Sequence, residues 1–224
     1  MSERPAGQLT LDLYWSFRSP YSYVLLPRII ALRDRYNVLV DLRIVHPNAI
    51  RNPTYFQRME PQARPYFLMD SARVAAFHGM NFRRPIPDPI NQDPVSLTIA
   101  EDQPLARRLG RLGIAATERG RGLEFCRQIS QLLWSGDVTG WDQGDFLAKA
   151  TIRAGLDLSD LEAAIVADPN RFEAQLDEND LNLRAAGHWG VPTVVFEGEP
   201  FFGQDRFDVL VWRMKQNGLK ISRQ

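Results

Sequence analysis

Two serines, Ser19 and Ser22, stand where a strand-like segment meets a helix-like one, in the sequence FRSPYSYVLLP of residues 17–27. Pro20 suits a first helical turn because its missing N–H would have no partner there, and Ser19 is then the expected N-cap residue. A helix N-terminus carries unpaired N–H groups and a partial positive charge, so it favours an anion. The roles open to Ser19 are therefore helix capping and hydrogen bonding to a bound anion.

Other common site chemistries find little support in the sequence. Cys126 is the single cysteine, which excludes an intramolecular disulfide and a multi-cysteine metal site, and its surroundings predict a buried apolar thiol. The three histidines, His46, His78 and His188, show no ligand spacing, so no metal site is predicted. A hydrolase-type nucleophile at Ser19 would need a nearby base and an elbow such as Gly-x-Ser-x-Gly, and neither is evident.

The composition is that of an ordinary globular protein. Of 224 residues, 44% are hydrophobic and 24% charged, and 27 basic residues balance 27 acidic ones. A net charge of zero gives no whole-chain electrostatic argument for nucleic acid or an anionic membrane. The N-terminal MSERPAGQLTLDLYW has no signal-peptide pattern, and no run approaches the ~18 apolar residues of a membrane span. We expect a cytoplasmic protein with no nucleic-acid or membrane partner.

The elements around the two serines form a recognisable unit. Alternating apolar residues predict a strand over residues 9–15, and the helix after the serines runs to Asn37. Residues 38–45 predict a second strand. Strand, helix and strand joined by short loops predict a βαβ unit with parallel strands.

The middle of the chain predicts helices and almost no strands. Helical segments are expected at 55–59, 65–79, 104–119, 122–135, 143–155, 158–167 and 170–186, with a proline-fixed loop at 82–94. The chain then predicts a hairpin, with strands at 193–196 and 201–202, and a last helix over 205–217 closed by Gly218. We therefore predict an α/β fold in which residues 8–52 and 188–224 form a βαβ…ββα sheet domain and residues 53–187 form an inserted all-helical domain.

The order of these motifs resembles the thioredoxin superfamily. Its members begin an active-site helix with Cys-x-x-Cys, kink that helix with a proline eight residues beyond the first cysteine, and close the site with a cis-proline. Here SPYS (residues 19–22) stands in place of Cys-x-x-Cys, Pro27 is eight residues after Ser19, and VPT (residues 191–193) stands in place of the cis-proline motif. With its helical insertion, the chain is similar to the DsbA-like branch, and the implied fold is thioredoxin-like.

Within that branch, serine in place of the first cysteine resembles the kappa-class glutathione transferases and the 2-hydroxychromene-2-carboxylate isomerases. The segments SPYSY and GVPTVVFEGEPFFGQDR, with the proline-rich loop near 85–89, carry this resemblance over most of the chain. Serines cannot perform thiol–disulfide exchange. The resemblance implies that glutathione supplies the sulfur as a cofactor. Ser19 would then hydrogen-bond the thiolate and lower the thiol pKa from about 8.5.

The resemblance also implies the other parts of a glutathione site. Val191, before the cis-proline Pro192, would offer backbone N–H and C=O groups to the cysteinyl part. Gln204 and Asp205, at the start of the last helix, would hold the γ-glutamyl group, with its ammonium at Asp205. Asp205 is also the expected N-cap of that helix.

The loop after the second strand would complete the site. Asn52 resembles the asparagine with which kappa-type proteins hold glutathione, and Asn48 competes for the match. A lysine of the family has no counterpart here, so Arg51, Arg58 and Arg64 are the basic residues available for a second substrate. Four aromatic residues could line an apolar pocket, although such residues beside a sheet more often belong to the core: Trp15, Phe17, Tyr21 and Tyr23.

The implied activity is a glutathione-dependent isomerisation of the 2-hydroxychromene-2-carboxylate type, on an aromatic or α,β-unsaturated small molecule. The thiolate would add to the substrate, allow rotation about a former double bond, and leave again. A kappa-class-like glutathione transferase, in which the conjugate accumulates, is one alternative, and a non-catalytic thioredoxin-like binding module is another. Proteins of this family commonly pair, so a homodimer is expected. Ser22 is assigned to packing or capping.

Overall fold

A computed structural model describes residues 8–222 and places the strands in one mixed sheet. The first two strands, β1 (Leu9–Trp15) and β2 (Val38–Ile44), are parallel and joined by helix α1 (Pro20–Arg35). Strand β3 (Thr193–Phe196) pairs antiparallel with β1, and β4 (Glu199–Phe202) pairs antiparallel with β3. The resulting order is β2-β1-β3-β4, so strands from the two ends of the chain form one sheet. This confirms the predicted βαβ…ββα arrangement.

Helices fill the chain between β2 and β3. They are α2 (Asn48–Arg51), α3 (Ala63–Phe77), α4 (Pro104–Glu118), α5 (Gly122–Trp134), α6 (Phe146–Arg153), α7 (Leu158–Ala167) and α8 (Pro169–Ala185). After β4 come a 3₁₀ turn (Gln204–Arg206) and α9 (Phe207–Gln216). The predicted helices between residues 65 and 186 agree with these elements to within a few residues, and residues 82–94 form a loop as predicted.

Two local predictions are wrong. Residues 55–59 form turns, and the helix in this region is the short α2. Asn52 ends it outside the helical region, with φ −147° and ψ 77°, because the following Pro53 disfavours a helical backbone at this residue. The last helix begins at Phe207, because residues 204–206 adopt the tighter 3₁₀ turn.

The sheet and the helical insertion share one hydrophobic core. A single cluster of buried side chains contains Leu13 and Trp15 of β1 together with Leu112 of α4 and Phe125 of α5. Cys126 is also fully buried there, as predicted, and burial raises the pKa of its thiol. The insertion therefore packs directly on the sheet. That residues 53–187 form a domain of their own stays a prediction.

Two buried hydrogen bonds fix helices of the insertion to the ends of strands. The Trp134 indole N–H of α5 donates to the Phe17 carbonyl, just beyond β1, at 2.9 Å. The Asn179 side chain of α8 donates to the Ile44 carbonyl, at the end of β2, at 2.8 Å. Both bonds act at the edge of the sheet from which α1 starts.

Within residues 8–222, no helix has the length and apolar character needed to cross a bilayer. The same part of the chain holds no group of three or more His, Cys, Asp or Glu side chains arranged to bind a metal ion.

Candidate active site

Ser19 caps helix α1, as predicted. Its backbone is extended, with φ −100° and ψ 115°, and its Oγ accepts a hydrogen bond from the Ser22 N–H at 3.2 Å. The same hydroxyl donates to the Val191 carbonyl at 3.2 Å. One half-buried side chain therefore both satisfies the helix end and contacts the loop that precedes β3.

The structure brings the two predicted motifs together, although they are far apart in sequence. The Val191–Pro192 peptide bond is cis, as the resemblance implied. The Pro192 carbonyl accepts from the Gly203 N–H at 2.9 Å, which ties this loop to the end of β4. Val191 thus lies beside the N-terminus of α1, with its carbonyl bonded to Ser19.

A cavity of about 310 Å³ opens at this junction. One side, here called the sheet wall, is formed by Ser16, Arg18, Ser19, Pro20, Tyr21, Pro47, Asn48, Ala49, Trp189, Gly190, Val191 and Phe202. The lining residues that follow α2 and belong to the insertion, here called the insertion wall, are Tyr55, Phe56, Met59, Arg64 and Phe67. The sheet wall carries the Ser19 hydroxyl and the Asn48 amide, whereas the insertion wall is mostly apolar, with the Arg64 guanidinium and the Tyr55 hydroxyl as its polar groups.

Asn48, the first residue of α2, is the asparagine that lines the cavity. Its side-chain Oδ1 and Nδ2 are both buried, and neither has a hydrogen-bond partner within residues 8–222. Leaving a buried donor and acceptor unpaired is costly, so such a group beside a cavity is suited to a polar ligand. Asn52, the residue first preferred from the sequence, ends α2 and does not line the cavity.

Gln204 and Asp205 lie in the 3₁₀ turn after β4, outside the cavity lining. Both the carbonyl and the side-chain oxygen of Gln204 accept from Arg28 Nη2, each at 2.6 Å. Asp205 is exposed and pairs with Arg206 at 3.2 Å. The expected N-cap role of Asp205 is wrong, because α9 begins two residues later and no side chain caps it.

Two arginines, Arg18 and Arg64, line the cavity. Arg18 donates two hydrogen bonds to Asp88, at 3.1 and 2.9 Å, and Arg84 donates a third at 3.0 Å. Burial alone would raise the pKa of Asp88, but Arg18 overcomes this and the pKa is lowered. Arg64 makes no ion pair with any residue that the structure describes. Burial and the charges of Arg84 and Arg18 lower the pKa of Arg64.

Aromatic contacts join the two walls. Tyr21 of the sheet wall packs edge-on against Phe67, with ring centroids 5.3 Å apart, and Tyr55 packs against Trp189 at 5.0 Å. The Tyr21 hydroxyl donates to Asp70 of α3 at 2.7 Å. Burial and the hydrogen bond to Asp70 raise the pKa of Tyr21 above its usual value, and this hydrogen bond joins α1 to α3.

Several residues singled out from the sequence lie elsewhere. The aromatic residues Trp15, Phe17 and Tyr23 belong to the core, and only Tyr21 of that group lines the cavity. Ser22 is fully buried, in keeping with a packing role. Neither Arg51 nor Arg58 lines the cavity, and the same holds for His46 and His188.

Sequence reasoning missed Arg18 and Trp189, and most of the insertion wall. The sequence did contain a signal for Arg18 and Trp189, because each lies within two residues of a recognised motif. No sequence signal marked four residues of the insertion wall, because their positions depend on the path of a loop and on the packing of α3: Tyr55, Phe56, Met59 and Phe67. Their side chains are ordinary for a helical segment.

Comparisons with known proteins agree with this geometry. The sequence matches the DSBA-like thioredoxin domain over residues 10–215. A 2-hydroxychromene-2-carboxylate isomerase structure is similar with a TM-score of 0.70 and 20% identity, covering 93% of this chain and 96% of that one. No curated protein matches the sequence.

A disulfide reductase and a thiol-disulfide exchange protein are also similar in structure. The cytosolic disulfide reductase DsbM from Pseudomonas aeruginosa, solved with GSH, has a TM-score of 0.59 and 15% identity over 93% of this chain and 100% of its own. The thiol-disulfide exchange protein alpha-DsbA2 from Wolbachia pipientis has a TM-score of 0.56 and 11% identity over 96% and 85%. At such identities these similarities establish the thioredoxin-like fold with its helical insertion.

Proposed function

The chain belongs to the DSBA-like thioredoxin domain family, and we propose that it is a glutathione-dependent isomerase of the 2-hydroxychromene-2-carboxylate type. Its substrate would be an aromatic or α,β-unsaturated small molecule. The observation that carries the proposal is a serine, Ser19, at a helix N-terminus that opens into a cavity. A hydroxyl there suits the binding of a thiolate that another molecule supplies.

The position of the only thiol supports this choice over disulfide exchange. Cys126 is completely buried in α5, and the pKa of its thiol is raised, so it is neither accessible nor activated. Ser19 and Ser22 occupy the positions of a redox cysteine pair. When bound, glutathione would supply the nucleophilic sulfur that the chain lacks at its site.

The groups at the sheet wall fit the parts of glutathione. Turning the O–H bond of Ser19 would redirect its proton from the Val191 carbonyl to a sulfur, while the Ser22 N–H still donates to Oγ. The Val191 carbonyl would then be free to accept from the cysteinyl N–H. Asn48 offers an amide whose donor and acceptor have no hydrogen-bond partner within residues 8–222, which suits a peptide group. Gln204 and Asp205 stay predictions for the γ-glutamyl group, and Asn52 stays the alternative to Asn48 that the sequence offered.

The insertion wall fits the second substrate. Rings from Tyr55, Phe56 and Phe67 form an apolar surface for a planar molecule, and the unpaired Arg64 suits an acidic group on it. A cavity beside Ser19 also argues against a purely non-catalytic module, for which a closed cleft would be expected. A cytoplasmic location, where glutathione is kept reduced, and a homodimer are parts of this proposal.

The test is a titration of the purified protein with glutathione. Calorimetry measures binding, and the ultraviolet absorbance of the thiolate measures the pKa of the bound thiol. We expect binding, with the pKa of the bound thiol below about 8.5. Ser19→Ala should raise that pKa and weaken binding about tenfold. Ser22→Ala removes a hydroxyl that lies one turn further along α1 and outside the cavity lining. It should change neither the thiol pKa nor the glutathione affinity. Undetectable binding to the unaltered protein would remove the central premise.

A transferase would have the same binding site and differs in its product. Incubation with glutathione and 2-hydroxychromene-2-carboxylate, followed by mass spectrometry, separates the two activities. Isomerised substrate with free glutathione supports the isomerase. A conjugate that accumulates supports the kappa-class-like transferase.

A further inference from the structure

One arginine of the sequence is buried where three segments of the chain meet. Arg51, the last residue of α2, has a side chain only 5% exposed. Its Nε donates to the His46 carbonyl at 2.6 Å, and its Nη1 donates to the Trp189 carbonyl at 2.9 Å. Nη1 also donates to Asp180 of α8. These contacts are here called the Arg51 clamp.

The clamp joins two loops that carry the sheet wall. The first loop begins after β2 ends at Ile44, passes through His46 and reaches Asn48 two residues later. The second passes through Trp189 and reaches Val191 two residues later, where the carbonyl accepts from Ser19. Because one guanidinium binds a carbonyl of each loop, it fixes the distance between the amide of Asn48 and the backbone of Val191.

Helix α8 supplies a firm base for the clamp. Asp180 is mostly buried, with its side chain 17% exposed. Its neighbour Asn179 is hydrogen-bonded to Ile44 at the end of β2, and Leu176 and Leu183 of the same helix are fully buried. The carboxylate of Asp180 is therefore held in place relative to the sheet.

The geometry requires arginine in particular. A guanidinium presents five N–H donors in a rigid planar fork, so it can reach two carbonyls and a carboxylate in different directions at once. A lysine ammonium carries its three N–H groups on a single nitrogen, so it cannot occupy both positions from which Nε and Nη1 donate to the two carbonyls. Arg51→Lys therefore keeps the charge pair and removes the bridge between the loops.

We propose that Arg51 is a positioning residue of the candidate active site, which holds Asn48 and Val191 at the separation that glutathione binding needs. The ligand named here rests on the proposed function, whereas the coupling of the two loops does not. Arg51 itself lies outside the cavity lining and acts through these two residues.

The experiment compares the full chain with Arg51→Lys by hydrogen exchange and by glutathione titration. Arg184→Gln is the matched control, because Arg184 is exposed and pairs with the same Asp180 at 2.9 Å. In Arg51→Lys we expect faster exchange in both 45–52 and 186–193, unchanged exchange in β1, and a dissociation constant about tenfold higher. Arg184→Gln should leave both readouts unchanged.

The outcomes separate this inference from the proposed function. If the unaltered protein binds no glutathione but Arg51→Lys loosens both loops together, the proposed function fails and the clamp stands. Binding by the unaltered protein and equally tight binding by Arg51→Lys would show that Arg51 positions nothing. Exchange that rises in one loop alone, or throughout β1, would equally overturn the clamp.

A second variant keeps the test decisive if Arg51→Lys does not fold. Asp180→Asn leaves the two carbonyl contacts possible and removes only the carboxylate that fixes the guanidinium. We expect a smaller increase in exchange, again in both loops together. No change in either loop would contradict the clamp.

Discussion

The two walls of the cavity are built in different ways. The sheet wall carries Ser19 at the N-terminus of α1 and Val191 beside β3, where helix capping and strand pairing fix the backbone. It also carries Asn48 on the short helix α2, whose residue Ala49 is buried. The insertion wall consists of turns at 53–59 and of α3, in which only Ser71 and Ala75 are buried. Hydrogen-bonding groups thus lie on firmly held elements, and apolar groups lie on elements with few buried contacts.

This difference suits a site with one constant and one variable ligand. Directional hydrogen bonds need fixed donors and acceptors, whereas apolar contacts tolerate small displacements. Segments with few buried apolar contacts also open locally at lower free energy than core elements. We therefore expect substitutions in the sheet wall to affect glutathione and substitutions in the insertion wall to affect the second substrate.

The largest expected effect comes from the asparagine of the sheet wall. Asn48→Ala should raise the dissociation constant of glutathione by about tenfold or more, since a buried amide then loses its ligand contacts. Because the amide has no partner within residues 8–222, the substitution should not lower the free energy of unfolding. Calorimetry and urea denaturation measure the two quantities.

Asn52→Ala is the control for that prediction, because Asn52 ends the same short helix outside the cavity. It should bind glutathione as the unaltered protein does. If Asn52→Ala weakens binding and Asn48→Ala does not, Asn52 is the glutathione residue and the role given to Asn48 is wrong.

The next effect is on the insertion wall. Arg64→Gln should raise KM for 2-hydroxychromene-2-carboxylate about fivefold, because an unpaired guanidinium beside the aromatic rings is lost. Glutathione affinity should stay unchanged. Steady-state kinetics give KM, and Arg58→Gln serves as the control because Arg58 is exposed and does not line the cavity. An equal rise of KM in both variants would mean that the overall charge of the protein, and not Arg64 itself, attracts the substrate.

A smaller effect concerns the link between the walls. Tyr21→Phe removes the hydrogen bond to Asp70 and should lower the free energy of unfolding by about 1.5 kcal/mol, as for hydrogen bonds to charged groups. Tyr66→Phe, on the same α3 but 56% exposed, should change it little. Urea denaturation checks both variants. Equal stability of the two would mean that the link does not hold α3.

The smallest effect is a pH dependence behind the sheet wall. His188 Nδ1 accepts from the Gly190 N–H at 2.9 Å, and burial lowers the pKa of His188 below its usual 6.5. As the pH falls below about 6.5, the unfolded chain therefore takes up this proton before the folded chain does. The contribution of His188 to stability is complete above that pH and declines below it.

Urea denaturation at several pH values tests this dependence. His188→Gln should flatten part of the decline on the acid side of about pH 6.5. An acid slope that His188→Gln leaves unchanged would mean that other groups, such as buried carboxylates, account for it.

The sequence alone predicted the parts of the site that depend on local chemistry. The N-cap role of Ser19 follows from Ser-Pro at a helix start, and the strands around it follow from alternation of apolar residues. The resemblance added the cis peptide bond at Pro192 and its place beside Ser19. Each of these rests on a few neighbouring residues or on a motif, and the structure confirms them.

Only the tertiary structure decided which of several similar residues reach the cavity. It placed Asn48 rather than Asn52 there, and it left Arg64 at the cavity while burying Arg51 between two loops. It also moved the start of the last helix past Asp205. These outcomes depend on how loops pass over the sheet and on which side chain meets which carbonyl across more than a hundred residues. Residue type and local spacing determine a helix cap or a strand, but they do not determine such long-range contacts.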